Sequence, residues 1–333
     1  MSSANRTMRL TRRRFIAISA AAGTASALPR SAYCEALQDF TWRGVALGAT
    51  ASLTLQHHNE VVAKAAIGAC LAEVARLDGI FNLHRPDSAV ARLNATGSLD
   101  DAPADLRMLL AEAMALAERS GGAFDPTIQP LWMLYARHFG SPDSDPDGPN
   151  EPDIAKALRL VGWRKVAVDD ARIRFREPGM SITLNGIAQG YITDKVGDLL
   201  RARGFEHVLV NMGEQLALGP RWDGDAWHVG IADPVDPGRL IEKVPLSSGA
   251  IATSGGYGCR FDEAGRFTHI LDPCTGLPAQ SWASVTVLGD RATLVDGLST
   301  ALAVAPASAS PGLLTGTVRA YTIPFGGGPG NWI

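Results

Sequence analysis

A lone histidine, His269, stands between two clusters of small and polar residues. Thr253-Ser254-Gly255-Gly256 precedes it, and Asp272-Pro273-Cys274-Thr275-Gly276 follows. Glycines and small side chains let a backbone approach an anion and turn N–H groups toward it, and histidine moves protons near neutral pH. The combination suits acid–base chemistry on a phosphate-bearing substrate. Read alone, the same residues also make an ordinary hairpin with its usual turns. Asp296 and Thr300 lie four apart in a helical pattern and so share a face. A carboxylate beside a hydroxyl offers hard oxygen ligands of the kind Mg²⁺ takes. The alternative is a solvated stripe, but no Lys or Glu occurs over 292–304, which points to a buried polar site. Leu184-Asn185-Gly186-Ile187-Ala188-Gln189-Gly190 reads as a strand running into a helix. A helix start leaves N–H groups for a phosphate, and Gly186 and Gly190 would leave the ligand room. A plain N-cap with two packing glycines is the other reading.

The elements that must position these residues follow from apolar spacing. The pattern predicts a strand over 42–56, a helix over 59–81 and a second helix opening at Asp101-Ala102-Pro103 and closed by Gly121-Gly122. Phe124-Asp125-Pro126-Thr127 reads as a turn, 141–152 as a loop, and Pro152 as the start of a short helix to 160. A strand pair (165–168, 173–175) and a strand over 181–184 follow, then a helix over 186–203 capped by Asn185. Strands are predicted over 207–211, 215–218, 227–232, 241–245, 251–254, 258–262, 267–271 and 283–288, with a last helix over 291–305. Helices set between runs of hairpin-connected strands indicate an α+β fold, with mainly antiparallel or mixed sheets flanked by helices.

The chain has 333 residues, 46% of them hydrophobic, enough for a sizeable core. A net charge of −3 leaves no basic surplus for nucleic acid. None of the four cysteines, Cys34, Cys70, Cys259 and Cys274, forms a Cys-x-x-Cys pair, which argues against a zinc or redox motif. Cys259 and Cys274 flank a hairpin, and their pairing is left open. At the N-terminus Thr11-Arg12-Arg13-Arg14-Phe15-Ile16 precedes a short apolar run and Ala25-Ser26-Ala27. This is the pattern of a twin-arginine signal over 1–33, with cleavage near 27 and export to the periplasm as the expectation. The run is too short and too rich in Ala, Ser and Gly to span a membrane comfortably, so no stable membrane insertion is expected.

Four segments in order, 120–132 (SGGAFDPTIQPLW), 184–219 (LNGIAQGYITDK through VNMGEQLALG), 249–276 and 292–302 (ATLVDGLSTAL), resemble the ApbE family of FAD:protein FMN transferases, across roughly 42–305. The resemblance implies one ApbE-like domain over 40–333. It also implies Mg²⁺-dependent transfer of FMN from FAD to a Thr or Ser of a target flavoprotein, with release of AMP. Ala188, through its carbonyl, Asp296 and Thr300 match the family's magnesium ligands, and His269 matches the histidine required for transfer. Gly48, His84, Asn185, Gly186, Gln189, Gly190, Gly213, Glu214, Thr253, Ser254, Gly255 and Asp272 match positions near the flavin nucleotide. Asp125 either recognises the adenine end of FAD or caps its own turn. Gln189 and Cys274 stand where the family usually has cations, and His84 where a tyrosine stacks on the flavin. These departures and the leader are similar to the NosX-type branch linked to nitrous-oxide reduction. The partner expected from that likeness is a NosR-type membrane flavoprotein carrying an Asp-Gly-x-Ser/Thr-Gly-Ala-Ser/Thr acceptor motif. Asp296-Gly297-Leu298-Ser299-Thr300-Ala301 matches that motif in part but reads as helix, so self-modification is not expected. The alternatives are an FAD pyrophosphatase and a periplasmic flavin carrier or assembly factor without transferase activity.

Overall fold

Where the sequence predicts one strand over 42–56, the computed structural model has a hairpin. β1 (Gln38–Ala46) and β2 (Ala49–His57) pair antiparallel, Ala46 opposite Ala49. Gly48 takes φ 79° in the turn, a conformation open to glycine. A turn without Asn-Gly or Asp-Gly carries little hairpin signal, which is why it reads as continuous strand. The structure describes residues 37–333 apart from 47 and 327, so the leader read over 1–33 lies outside the described residues. None of the described helices is long and apolar enough to cross a membrane.

The chain continues through α1 (Glu60–Phe81), α2 (Ala89–Thr96), β3 (Ser98–Leu99), α3 (Ala104–Arg119), α4 (Gln129–Phe139), α5 (Glu151–Leu158), β4 (Val166–Val168) and β5 (Ile173–Phe175). α6 (Ala188–Ala202), β6 (Val208–Asn211), β7 (Gln215–Leu218), β8 (Trp227–Ala232), β9 (Leu240–Leu246) and β10 (Gly249–Ser254) follow. β11 (Trp282–Gly289), α7 (Ala292–Val304), α8 (Ser310–Leu313), β12 (Arg319–Pro324) and β13 (Asn331–Trp332) complete it. The sequence assigns no element to 128–140, where α4 lies, nor to α2, β12 or β13.

One sheet of eight strands, in the order β1-β2-β6-β7-β10-β11-β12-β13, organises the domain, and every pairing in it is antiparallel. The α+β expectation holds. α1, α6 and α7 cover one face, where Leu53, Val210, Leu216, Ala250, Ala252 and Val287 join Leu77, Val196 and Leu298 in the main core. The β8–β9 hairpin covers the other, with Trp227, Val229 and Ile231 against Ala217, Ile251 and Ile323. Burial on both faces explains why residues 216–218 of β7 and 250–252 of β10 are apolar without alternation.

Two helix starts are capped by tertiary contacts, one of them in place of the predicted N-cap Asn185. Asn185 does not cap α6: both the Ile187 and Ala188 N–H groups donate to the Leu184 carbonyl, and the helix begins at Ala188. The N–H of Gly190 donates instead to Asp296 Oδ2 of α7, at 2.8 Å. α7 likewise has no cap of its own. Its Ala292 and Thr293 N–H groups and the Thr293 hydroxyl donate to the Asp194 carboxylate of α6, at 2.8, 2.9 and 2.6 Å. Each helix therefore caps the other. Gly190 makes this possible, because a Cβ there would collide with the Ala292 carbonyl and come within 2.7 Å of Asp296 Cβ. The expectation that Gly190 gives a ligand room is thus corrected: α7 fills that space.

The strand predicted over 181–184 is extended but unpaired, because the Asn94 side chain takes the place of a neighbouring strand. Its Oδ1 accepts the Ile182 N–H (2.7 Å) and its Nδ2 donates to the Ile182 carbonyl (2.8 Å). The strands predicted over 258–262 and 267–271 are reduced to the single bridges Arg260 with Thr268 and Leu271 with Pro278.

Asp194→Ala should lower Tm by on the order of 5 °C. Losing a helix cap costs about 0.5–2 kcal/mol, buried N–H groups lose their acceptor, and each kcal/mol moves Tm by roughly 2–4 °C at this size. Asp194→Asn, which keeps one acceptor oxygen, should lose less in the same thermal melt.

Candidate functional site

The start of α6, α7 at Asp296 and Thr300, and the end of β10 meet at one wall of a cleft of about 1960 Å³. Clefts for drug-sized ligands run to about 300–1,000 Å³, so this one has room for a dinucleotide. The β1–β2 tip with Gly48, His84, and α4 and α5 through Trp132, Arg137 and Lys156 also line it.

Of the residues read from sequence, Asn185, Gly186, Ala188, Gln189, Gly213, Glu214, Thr253, Ser254, Gly255, His269, Asp296 and Thr300 all border this cleft, as do Gly48, His84 and Asp125. Gly190 and Asp272 do not. Asp272 is turned into its own loop, where it accepts the Cys274 N–H (2.8 Å) and the Thr275 hydroxyl (3.0 Å). The Asp125 carboxylate is occupied by the Thr127 N–H and hydroxyl (2.8 and 2.6 Å) and the Trp163 N–H (3.1 Å). Of its two readings, turn capping is the one these contacts fill. Burial raises its pKa. Cys274 is an exposed free thiol outside the cleft wall, so no Cys259–Cys274 disulfide is present.

Asp296 is 4% exposed, and among the described residues it has no ion-pair partner. Burial, and next the charge of Asp194, raise its pKa to about 7, against the pull of the Gly190 N–H. Glu214 beside it is raised as well, by burial first and then by the Asp296 charge, while the Thr253 N–H lowers it. Thr300 Oγ1 lies 3.2 Å from Ser254 Oγ and donates to the Gly186 carbonyl at 3.4 Å. Ser254 Oγ also meets Ser299 Oγ at 2.7 Å. Thr253 faces the other side of the sheet, its hydroxyl 2.8 Å from that of Thr286. Thr253 and Ser254 are strand residues; only Gly256–Gly258 form a turn, a short 3-10 segment.

Two of the amides that the sequence suggests for a phosphate are taken within the protein, the Ala188 N–H by the Leu184 carbonyl and the Gly190 N–H by Asp296. The helix start thus holds a carboxylate, which the helix dipole favours. The donors around Asp296 and Thr300 are oxygens alone, and among the described residues no three His, Cys, Asp or Glu side chains form a metal cage. A sparse, hard, anionic set of this kind fits Mg²⁺, which keeps several waters.

His269 borders the same cleft. Its Nδ1 is 3.1 Å from the Cys259 carbonyl. A carbonyl only accepts, so Nδ1 carries the proton and Nε2 is the basic nitrogen of the neutral ring. Gln189 lies over Gly213, where a Cβ would come within 2.6 Å of its side-chain amide. The sequence reading missed Asp194, Ser299 and Tyr257, a cleft residue whose phenol burial holds above its usual pKa. Asp194 had one signal: it follows Gly190 by four residues and so shares its helix face.

The profile of the ApbE family matches residues 47–322. The chain is similar to the FAD:protein FMN transferase of Treponema pallidum (strain Nichols), 34% identical over 266 residues, or 71% of each protein. The Haemophilus influenzae (strain ATCC 51907 / DSM 11121 / KW20 / Rd) protein of the same name is 32% identical over 236 residues, 67% of this chain and 68% of that one. Among solved structures, apo Pseudomonas stutzeri flavinyl transferase ApbE superposes with a TM-score of 0.75 at 28% identity, covering 90% of this chain and 94% of that one.

With its pKa raised from 3.8 to about 7, Asp296 keeps a proton in the folded chain where the unfolded chain has released it. In metal-free buffer this group therefore removes stability as pH rises from about 4 to about 7, and the loss persists above that. Asp296→Asn should raise Tm at pH 8 by several degrees and leave it nearly unchanged at pH 4. A melt series across pH checks the sign.

Proposed function

The chain belongs to the ApbE family, and from that membership we infer that it is an FAD:protein FMN transferase. The observation that carries the reading is the convergence, in one dinucleotide-sized cleft, of an oxygen-lined anionic pocket (Asp296, Thr300, Ser254) and a histidine whose Nδ1 is tied down. The acceptor hydroxyl attacks the FMN phosphorus, the phosphoanhydride bond of FAD breaks, and AMP leaves. The hydroxyl proton passes to His269 Nε2. Asp296, Thr300 and the Ala188 carbonyl would hold Mg²⁺, which when bound offsets charge on the phosphates. Gly255 borders the cleft without a side chain, and Gln189 stands close against the Gly213 turn.

The finer parts of the proposal rest on sequence. The Arg12-Arg13 leader supports Tat export to the periplasm. The likeness to the NosX-type branch supports a NosR-type membrane flavoprotein with the Asp-Gly-x-Ser/Thr-Gly-Ala-Ser/Thr motif as client. Replacing Arg12 and Arg13 by lysine should then leave the protein in the cytoplasm when cells are fractionated.

His269→Ala should slow single-turnover transfer to a motif-bearing peptide by roughly 10²–10⁴-fold, the usual size of a general acid–base contribution. FAD affinity should change far less. Transfer at the wild-type rate would remove His269 from the chemistry. Free FMN released by the wild type, with no mass gain on the peptide, would point to a pyrophosphatase.

A further inference from the structure

We propose that Tyr135 is the positioning residue for His269, acting by tying together the two short hairpins between which that histidine sits. The proposal rests on the transferase reading only for its kinetic readout.

His269 ends the first hairpin and precedes the second. In the first, its N–H donates to the Cys259 carbonyl at 3.1 Å, and Phe261 N–H donates to Phe267 O at 2.8 Å. In the second, Asp272 N–H donates to Leu277 O (2.8 Å) and Ala279 N–H to Ile270 O (2.9 Å). Neither reaches the length of a strand pair, and so short a ladder does not hold its own shape. Both are instead seated on α4 and α5, through a cluster apart from the main core that contains Leu131, Tyr135, Ile154, Ala157 and Leu271.

Tyr135 touches both hairpins. Its ring centroid is 5.8 Å from that of Phe261 and 6.0 Å from that of Phe267, across the first. Its hydroxyl donates to the Gly276 carbonyl of the second at 2.9 Å. The side chain is fully buried, and burial pushes the phenol up to about 12, so it remains a donor at working pH. Gly276 admits the contact because it takes φ 76° and a Cβ would come within 2.6 Å of Ile154 Cγ2. The Nδ1 bond to Cys259 sets the angle of the His269 ring relative to the first hairpin. The Tyr135 bridge sets that hairpin relative to the second. A small shift between them moves Nε2, and proton transfer depends steeply on such displacements.

Tyr135→Phe keeps the ring and removes the hydroxyl. In the full chain it should lower transfer kcat by about 10- to 100-fold, with the KM for a motif-bearing peptide and the FAD Kd within about 2-fold of wild type, and it should shift the His269 ring resonance in NMR spectra. Asn59→Ala removes the α1 cap, where Asn59 accepts the Val62 N–H and neither residue lines the cleft. It should lower Tm while leaving kcat and the His269 resonance in place. Wild-type kcat with an unshifted resonance in Tyr135→Phe would overturn the proposal. So would loss of FAD binding in step with kcat, since that marks a purely structural role. A wild type that transfers no FMN refutes the transferase reading alone, and the resonance then still decides the role of Tyr135.

Discussion

Two carboxylates, Asp194 and Asp296, lock the first turns of α6 and α7 together, and the cleft is built on that crossing. Helix starts leave unpaired N–H groups, and burying one without a local cap is unfavourable unless another element supplies the acceptor. Here each helix supplies it for the other. The arrangement requires close backbone approach, which Gly190 allows, and it fixes Asp296 in a buried position where its charge is poorly solvated. The structural lock and the carboxylate proposed to hold the metal are thus one feature. Thr300 follows one turn later on α7, and Ser254 reaches it from the end of β10, so the oxygen cluster inherits its geometry from the same crossing.

The parts of this fold legible in sequence are those whose cause is local. β7 and β8 read from their apolar content at the bounds observed, and α7 reads within a residue at each end. The grouping of Asp296 with Thr300 follows from helical spacing alone. What escapes has a cause distant in the chain. Asn94, 88 residues away, makes the backbone of Ile182 behave as if paired. The segments 258–262 and 267–271 have the composition of strands but rest on α4 and α5 through Phe261 and Phe267 instead of on a ladder. Asp194 is unremarked in the middle of a helix until α7 arrives beside it. Gly190 reads as a place of close approach, but the approaching group is a helix and not a ligand.

The domain divides its tasks between two kinds of packing. The sheet with α1, α6 and α7 forms a large core in which Asp296, Thr300 and Ser254 are held by regular elements. His269 rides on irregular backbone seated on a smaller aromatic cluster. Regular elements hold positions to closer tolerance than loops, while loops and small clusters open at lower free energy than a main core. The oxygen pocket is therefore held by regular elements, and His269 by the Tyr135 bridge between two short hairpins.

Charge decides how an anionic dinucleotide can sit in such a cleft. Its lining includes Asp296 and Glu214, and its Arg and Lys residues, Arg137 and Lys156, belong to exposed faces of α4 and α5. The family's usual lysine near the helix start is Gln189 here, and the start itself is occupied by Asp296. In its ionised form Asp296, buried where the local dielectric is low, repels a pyrophosphate more strongly than an exposed surface charge does, and the half-buried Glu214 acts in the same sense when ionised. A cation held by Asp296 and Thr300 against the phosphates, as the proposed function has it, would turn that repulsion into attraction, and an acidic lining unfavourable in the isolated protein would then couple the binding of metal to that of nucleotide.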